Sequence, residues 1–142
     1  MRDFGQWHVV ILHFPIVLFW TALVYDLLGA VWKINVYPAA HWIVIVAAFC
    51  AIPTVMTGLE VADSFVGDSN VLIHRNWAIA TLTFAILHTL VRLFLVIRKK
   101  TVSKYLLIFL SIVTVILISI TAEYGGRVAF HQTIFSGRTG KG

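Results

Sequence analysis

Four long apolar runs, at about residues 9–32, 41–61, 74–98 and 105–124, dominate the chain, and only short polar segments separate them. A hydrocarbon core ~30 Å thick takes roughly 20 helical residues to cross, so each run is long enough to span it. None alternates polar and apolar residues in the short segments of a membrane barrel strand. Backbone polar groups must be satisfied internally in lipid, so unbroken runs of this length predict helices. The gaps carry punctuation. The connection 33–40 holds Tyr37-Pro38, read as a helix stop, and Gly67-Asp68-Ser69 reads as a turn. Asp68 or Ser69 then caps a third helix that starts at Asn70 or Val71. Pro15 predicts a bend just beyond His13. The expected fold is all-α integral membrane, a four-transmembrane-helix antiparallel bundle over residues 1–134, followed by a flexible basic tail at 135–142.

Composition agrees. Of 142 residues, 60% are hydrophobic and 12% charged, against about 25% charged in soluble domains. The single cysteine, Cys50, excludes an intrachain disulfide, and there is no Cys-x-x-Cys-His haem-attachment motif. Met-Arg-Asp opens the chain with charge, but the run behind it is too long for a signal peptide and lacks a small-x-small cleavage site, so it is read as a retained first helix. The net charge of +5 lies in bases at helix ends, which suits anionic lipid headgroups and not nucleic acid. The side bearing the first and third connections carries Lys33, Arg98, Lys99, Lys100 and Lys104, against Arg2, Arg75, Arg127, Arg138 and Lys141 on the other. The dense cluster between Arg98 and Lys104 marks the first side as cytoplasmic, which puts both termini outside.

Ionisable residues inside such a chain are the candidate chemistry, because a charged or polar side chain in lipid is costly. His8 and His13 lie five residues apart, so they point ~140° apart and address different partners. Counted from the cytoplasmic helix ends, His8 and His74 come to similar heights of roughly 36 Å. His13, Glu60 and Glu123 form a level at roughly 28–31 Å, with His131 above both. Asp26 and Arg92 lie roughly 10 Å from the opposite face and are expected to pair, fixing the first helix against the third. Imidazoles from two facing helices are a recurrent way to hold haem iron in a bundle, and His8 or His13 opposite His74 meets that requirement. His88 follows His74 by fourteen residues on nearly the same face, as in a two-haem ladder, but it lacks a partner at its depth and reads better as a buried, hydrogen-bonded residue. Zinc or copper, with Glu60 and Glu123 as added ligands, is a weaker reading because no His pair has i, i+3 or i, i+4 spacing. A solute carrier ranks last, since only the Asp26/Arg92 level offers polarity between His88 and the cytoplasmic face.

His8-x4-His13-Phe14-Pro15-Ile16, Thr57-Gly58-Leu59, His74 at the opening of the third helix, and Gly126-Arg127-Val128-Ala129-Phe130-His131 together resemble the bacterial membrane family known as domain of unknown function 2231. The resemblance covers nearly the whole chain and picks out His8, His13, His74 and His131. The chain departs from the family's pattern where Val9 follows His8 and where Gln132 follows His131. The resemblance implies a four-helix module of the bacterial inner membrane that handles electrons, since similar segments are joined in some bacteria to periplasmic cytochrome c domains. The resulting expectation is a b-type haem subunit carrying one or two haems. It takes His13 and His74 as a first ligand pair, His8 and His131 as a second, and Arg75 and Arg127 as partners of haem propionates. Glu60 or Glu123 would accept protons from quinol. Electrons would pass between quinol and a periplasmic carrier such as a cytochrome c, within a larger membrane complex, which as an enzyme would be a quinol-linked oxidoreductase subunit. The alternative is a haem-free accessory subunit of a respiratory or photosynthetic complex.

Overall fold

A computed structural model describes residues 2–32, 34–63, 67–99 and 103–139, the side chains of 2–7, 9 and 130–139 excepted. Four helices follow one another: α1 (Arg2–Val31), α2 (Tyr37–Ala62), α3 (Ser69–Arg98) and α4 (Lys104–Thr139). Each contains a stretch long and apolar enough to cross a membrane. They pack in a ring, α1 on α2, α2 on α3, α3 on α4 and α4 back on α1, as short connections between antiparallel neighbours require.

These helices are apolar all round, so sequence hydrophobicity does not choose their inward faces. Lipid tails are as apolar as leucine, and close packing and polar contacts decide instead. The centre of the bundle accordingly holds small residues, Ala22, Ala47, Ala48 and Ala85, around Phe19, Val44, Val115 and Ile118. Phe14, Trp20, Phe49, Phe94 and Phe109 face outward.

The helix ends follow local chemistry. Asp68 caps α3, its carboxylate accepting from the Asn70 amide at 2.8 Å, as its sequence context predicts. Lys99 closes α3 in the left-handed region at φ 48°. Pro38 opens α2 in its first turn, where the missing N–H costs nothing. Tyr37-Pro38 therefore starts a helix and does not stop one. Helix α1 runs continuously through Pro15, and α4 continues to Thr139, well past the expected end near 124 and into the segment expected to be a flexible tail. At Gly125-Gly126 the helix is packed through Gly125 against His74 of α3, and on its outer surface Arg127 pairs with Glu123 one turn back at 2.8 Å. Residues 140–142 lie outside the described residues.

One guanidinium ties all four helices together. Arg92 is fully buried, and so is Asp26. Its Nε donates to His88 Nε2 at 3.1 Å, and Nη1 donates to Asp26 Oδ1 at 3.0 Å and to His41 Nδ1 at 3.2 Å. Nη2 donates to Asp26 Oδ2 and to Ser111 Oγ, the latter at 3.1 Å. All five N–H donors of the planar fork are thereby used. Ser111 in turn donates to Asp26 at 2.6 Å, and His88 Nδ1 pairs with Thr114 Oγ1 at 2.9 Å. The Asp26–Arg92 pair forms at the expected end, but its reach exceeds an α1–α3 clasp: α2 joins through His41 and α4 through Ser111 and Thr114.

Candidate functional site

At the opposite end, where α1 begins, the helices line a half-open chamber of about 440 Å³, within the range of small-molecule and cofactor sites. Its walls are mostly aliphatic, with Phe19, Ala85 and Ile118 toward the bundle centre. His8 of α1 and His74 of α3 line it.

The polar network explains why these two residues line the same chamber. Asp26 follows His8 by eighteen residues, and Arg92 follows His74 by eighteen. Eighteen residues at ~100° make five whole turns, ~27 Å along the axis. His8 thus shares a face with Asp26, and His74 shares one with Arg92. Because Asp26 and Arg92 meet, the histidines above them come to one chamber.

Both imidazoles are held the same way. His74 Nδ1 lies 3.0 Å from the Thr121 carbonyl, which can only accept, so Nδ1 carries the proton. His8 Nδ1 lies 3.2 Å from Thr57 Oγ1. That hydroxyl's single hydrogen is directed to the Pro53 and Thr54 carbonyls at 2.9 and 3.0 Å, so Thr57 accepts from His8. In each neutral ring the lone pair is therefore on Nε2, the arrangement of a metal-ligating histidine fixed by its outer hydrogen bond. Burial lowers the His8 pKa below the usual value; the Thr54 carbonyl opposes this and the neighbouring His74 adds to it. His8 is thus neutral at pH 7.

The third constraint on the rings was not anticipated from sequence. A Cβ placed on Gly58 of α2 would come 2.8 Å from His8 Cε1, and one on Gly125 of α4 would come 3.0 Å from His74 Cε1. Each hairpin therefore carries the same device, an opening histidine laid on a glycine of the following helix. For the two histidines the sequence does carry a signal, since His8 and His74 are separated by the same 66 residues as Asp26 and Arg92.

The other candidates fall elsewhere. His13 also lines the chamber but is exposed, and His8 is the α1 histidine that shares the inward face with Asp26. Arg75 lines the chamber and is exposed. Glu60 is exposed. Glu123 and Arg127 form an ion pair exposed by about 60% on each side chain; each is two residues from Gly125, so ~200° around the helix from the face that meets His74. The side chain of His131 lies outside the described residues. Among the described residues no three His, Cys, Asp or Glu side chains assemble as a metal cage. His88 has both ring nitrogens engaged, by Thr114 and Arg92, and offers none to a second iron.

What the chamber offers is mostly apolar walls with two half-buried imidazoles, His8 and His74, and at its exposed side His13 and Arg75. Two such imidazoles fit haem, whose porphyrin supplies the other four ligands, and among the described residues they fall short of the three or four protein donors that a free cation takes.

No curated protein and no solved structure matches the chain. The family profile described as a predicted membrane protein, DUF2231, matches residues 6–137, and the chain belongs to that family.

Proposed function

We propose that this protein is a b-type haem subunit of the bacterial inner membrane, with one haem b held between its two hairpins by His8 and His74. The observation that carries the reading is the matched pair of imidazoles from α1 and α3, each with Nδ1 committed as a donor and Nε2 left with its lone pair, lining one mostly apolar chamber. His13 and His74, the pair favoured by sequence, become the second choice because His13 is exposed.

Bound haem would supply a one-electron Fe(III)/Fe(II) couple. The chain's own residues do the rest. Thr57 and the Thr121 carbonyl orient the rings, and Phe19, Ile118 and the small residues Ala78 and Ala85 keep water from the centre of the bundle. Arg75, exposed on the chamber wall, is the cation for a propionate. Arg127 is committed to Glu123 on the outer surface, which leaves Arg75 as the better candidate. Electrons would enter from quinol and leave to a periplasmic carrier in a larger complex, with Glu60 at the exposed end of α2 as the proton acceptor.

Purified protein should show a Soret band with α and β bands that sharpen on dithionite reduction. His8→Ala and His74→Ala should each lose the pigment, while His13→Ala should keep it. A pigment-free wild type, prepared with haem supplied during expression, refutes the proposal and leaves the haem-free accessory role.

A further inference from the structure

We infer that Gly58 and Gly125 are ring seats, which fix the planes of the two chamber imidazoles and so tune the ligand field and reduction potential of the iron they hold. The inference rests on the haem reading and adds to it the regulation of that site by two residues that carry no functional group.

Glycine inside a helix is unfavourable relative to alanine, so a helical glycine in close contact asks for a reason. Here the reason is visible at both positions. The virtual Cβ of Gly58 meets His8 at Cε1, Nδ1 and Nε2, at 2.8, 3.4 and 3.4 Å. That of Gly125 meets His74 at the same three atoms, at 3.0, 3.4 and 3.6 Å. The adjacent Gly126 has nothing within 4 Å of its Cβ position. Gly29 meets a ring as closely, but that of Tyr37 and away from the chamber; among the chamber glycines Gly58, Gly125 and Gly126, close approach falls on the two beneath imidazoles.

Each seat works with a hydrogen bond. His8 is gripped by the Thr57 hydroxyl, one residue before Gly58, and His74 by the Thr121 carbonyl, one turn before Gly125. A hydrogen bond alone leaves the ring free to tilt about the Nδ1–H direction. A wall of backbone under Cε1 removes that freedom. Outer contacts of this kind orient the ligating nitrogen and tune the metal. A methyl group at either seat pushes the ring off, moving Nε2 away from the axis it would share with the opposite imidazole.

The test uses the full-length protein in detergent or nanodiscs, with Gly58→Ala, Gly125→Ala and, as matched control, Gly126→Ala. Thr57→Val removes the hydroxyl that grips His8 while keeping its shape. Haem retained per chain, spin state by electron paramagnetic resonance and the reductive titration midpoint are measured, with helical content as the check on folding. Gly58→Ala, Gly125→Ala and Thr57→Val should each retain haem about 10- to 100-fold more weakly, with a high-spin fraction in what remains and a shifted midpoint. Gly126→Ala should match the wild type in all three. Should Gly125→Ala fail to fold, His74→Gly with Gly125→Ala should fold again, because the colliding ring is gone; persistent misfolding overturns the seat. A pigmented wild type whose Gly58→Ala and Gly125→Ala variants equal Gly126→Ala overturns the seats alone. A wild type without a Soret band overturns the haem reading and the seats with it.

Discussion

Removing either member of the Asp26–Arg92 pair should be more damaging than removing both. Neither side chain has any solvent exposure, so Asp26→Ala leaves the Arg92 charge buried among His88, His41 and Ser111 with no anion. Stripping one partner from a buried pair costs about 3–5 kcal/mol. The Ser111 hydroxyl, which donates to Asp26 at 2.6 Å, loses its acceptor and adds about 1 kcal/mol. Arg92→Ala is equally severe: Asp26 keeps only the Ser111 donor, and His88 Nε2 and His41 Nδ1 lose theirs. The double variant Asp26→Leu with Arg92→Met carries no charge and fills similar volume. Its remaining penalty is the polar remnant of Ser111, His88 and His41, about 1–3 kcal/mol. Unfolding in mixed micelles, followed by circular dichroism as the denaturing detergent fraction rises, gives all three values. The reasoning is refuted if either single variant lies within about 0.5 kcal/mol of wild type, the range of ordinary surface substitutions. It is equally refuted if the double variant is as unstable as the two singles summed.

Three further outcomes follow from the same geometry. His8 has a pKa lowered by burial, so the folded state binds fewer protons than the unfolded one near its usual value. The stability it confers is complete above about pH 6.5 and is lost as pH falls through the lower folded value; with both proteins prepared haem-free, melting temperature should drop between about pH 7.5 and pH 5 more steeply in the wild type than in His8→Gln, and equal slopes would remove His8 from the account. Gly29→Ala would place a Cβ 2.9 Å from Tyr37 Cζ, and Tyr37 Oη is buried with no hydrogen-bond partner among the described residues; overpacking there should cost about 1–3 kcal/mol in the same micelle titration. Glu123→Ala and Arg127→Ala break only an exposed pair, so melting temperature and pigment should both match the wild type.

Helix number, the Asp68 cap and the meeting of Asp26 with Arg92 were legible because each depends on local chemistry or on depth, and depth is fixed by a rise of ~1.5 Å per residue. Choosing between His8 and His13 needed rotation as well. Depth counted from helix ends left both within reach of His74, and rotation is what separates them. His13 precedes Asp26 by thirteen residues, ~1300° or ~140° away from its face, whereas His8 precedes it by five whole turns. Once Asp26 is taken as the inward marker of α1, His13 cannot share that face. The same logic applied to Arg92 marks His88, one turn before it, as a member of the network. The glycine seats were not legible, because a glycine late in a helix reads equally as a break, a close packing point or an end signal. The His74 ring lying on Gly125 marks that glycine as a close packing point inside a helix that continues.

The two ends of the bundle are coupled by rigidity, without any contact between them. A helix transmits rotation, so whatever sets the rotation of α1 and α3 at one end sets it at the other. At the inner end the setting is strict: a planar fork with all five donors used admits one arrangement of Asp26, His41, His88 and Ser111. At the outer end the proposed haem would set a demand of the same kind, since His8 and His74 would have to reach one iron together. An apolar layer of Phe19, Ala22, Ala85 and Val115 fills the space between and makes no directional demand of its own, as dispersion contacts tolerate small rotations that hydrogen bonds do not. The matched spacing of eighteen residues in α1 and α3 is what lets one polar cluster aim the other pair. Van der Waals packing in lipid supplies the adhesion, and the buried ion pair supplies the register.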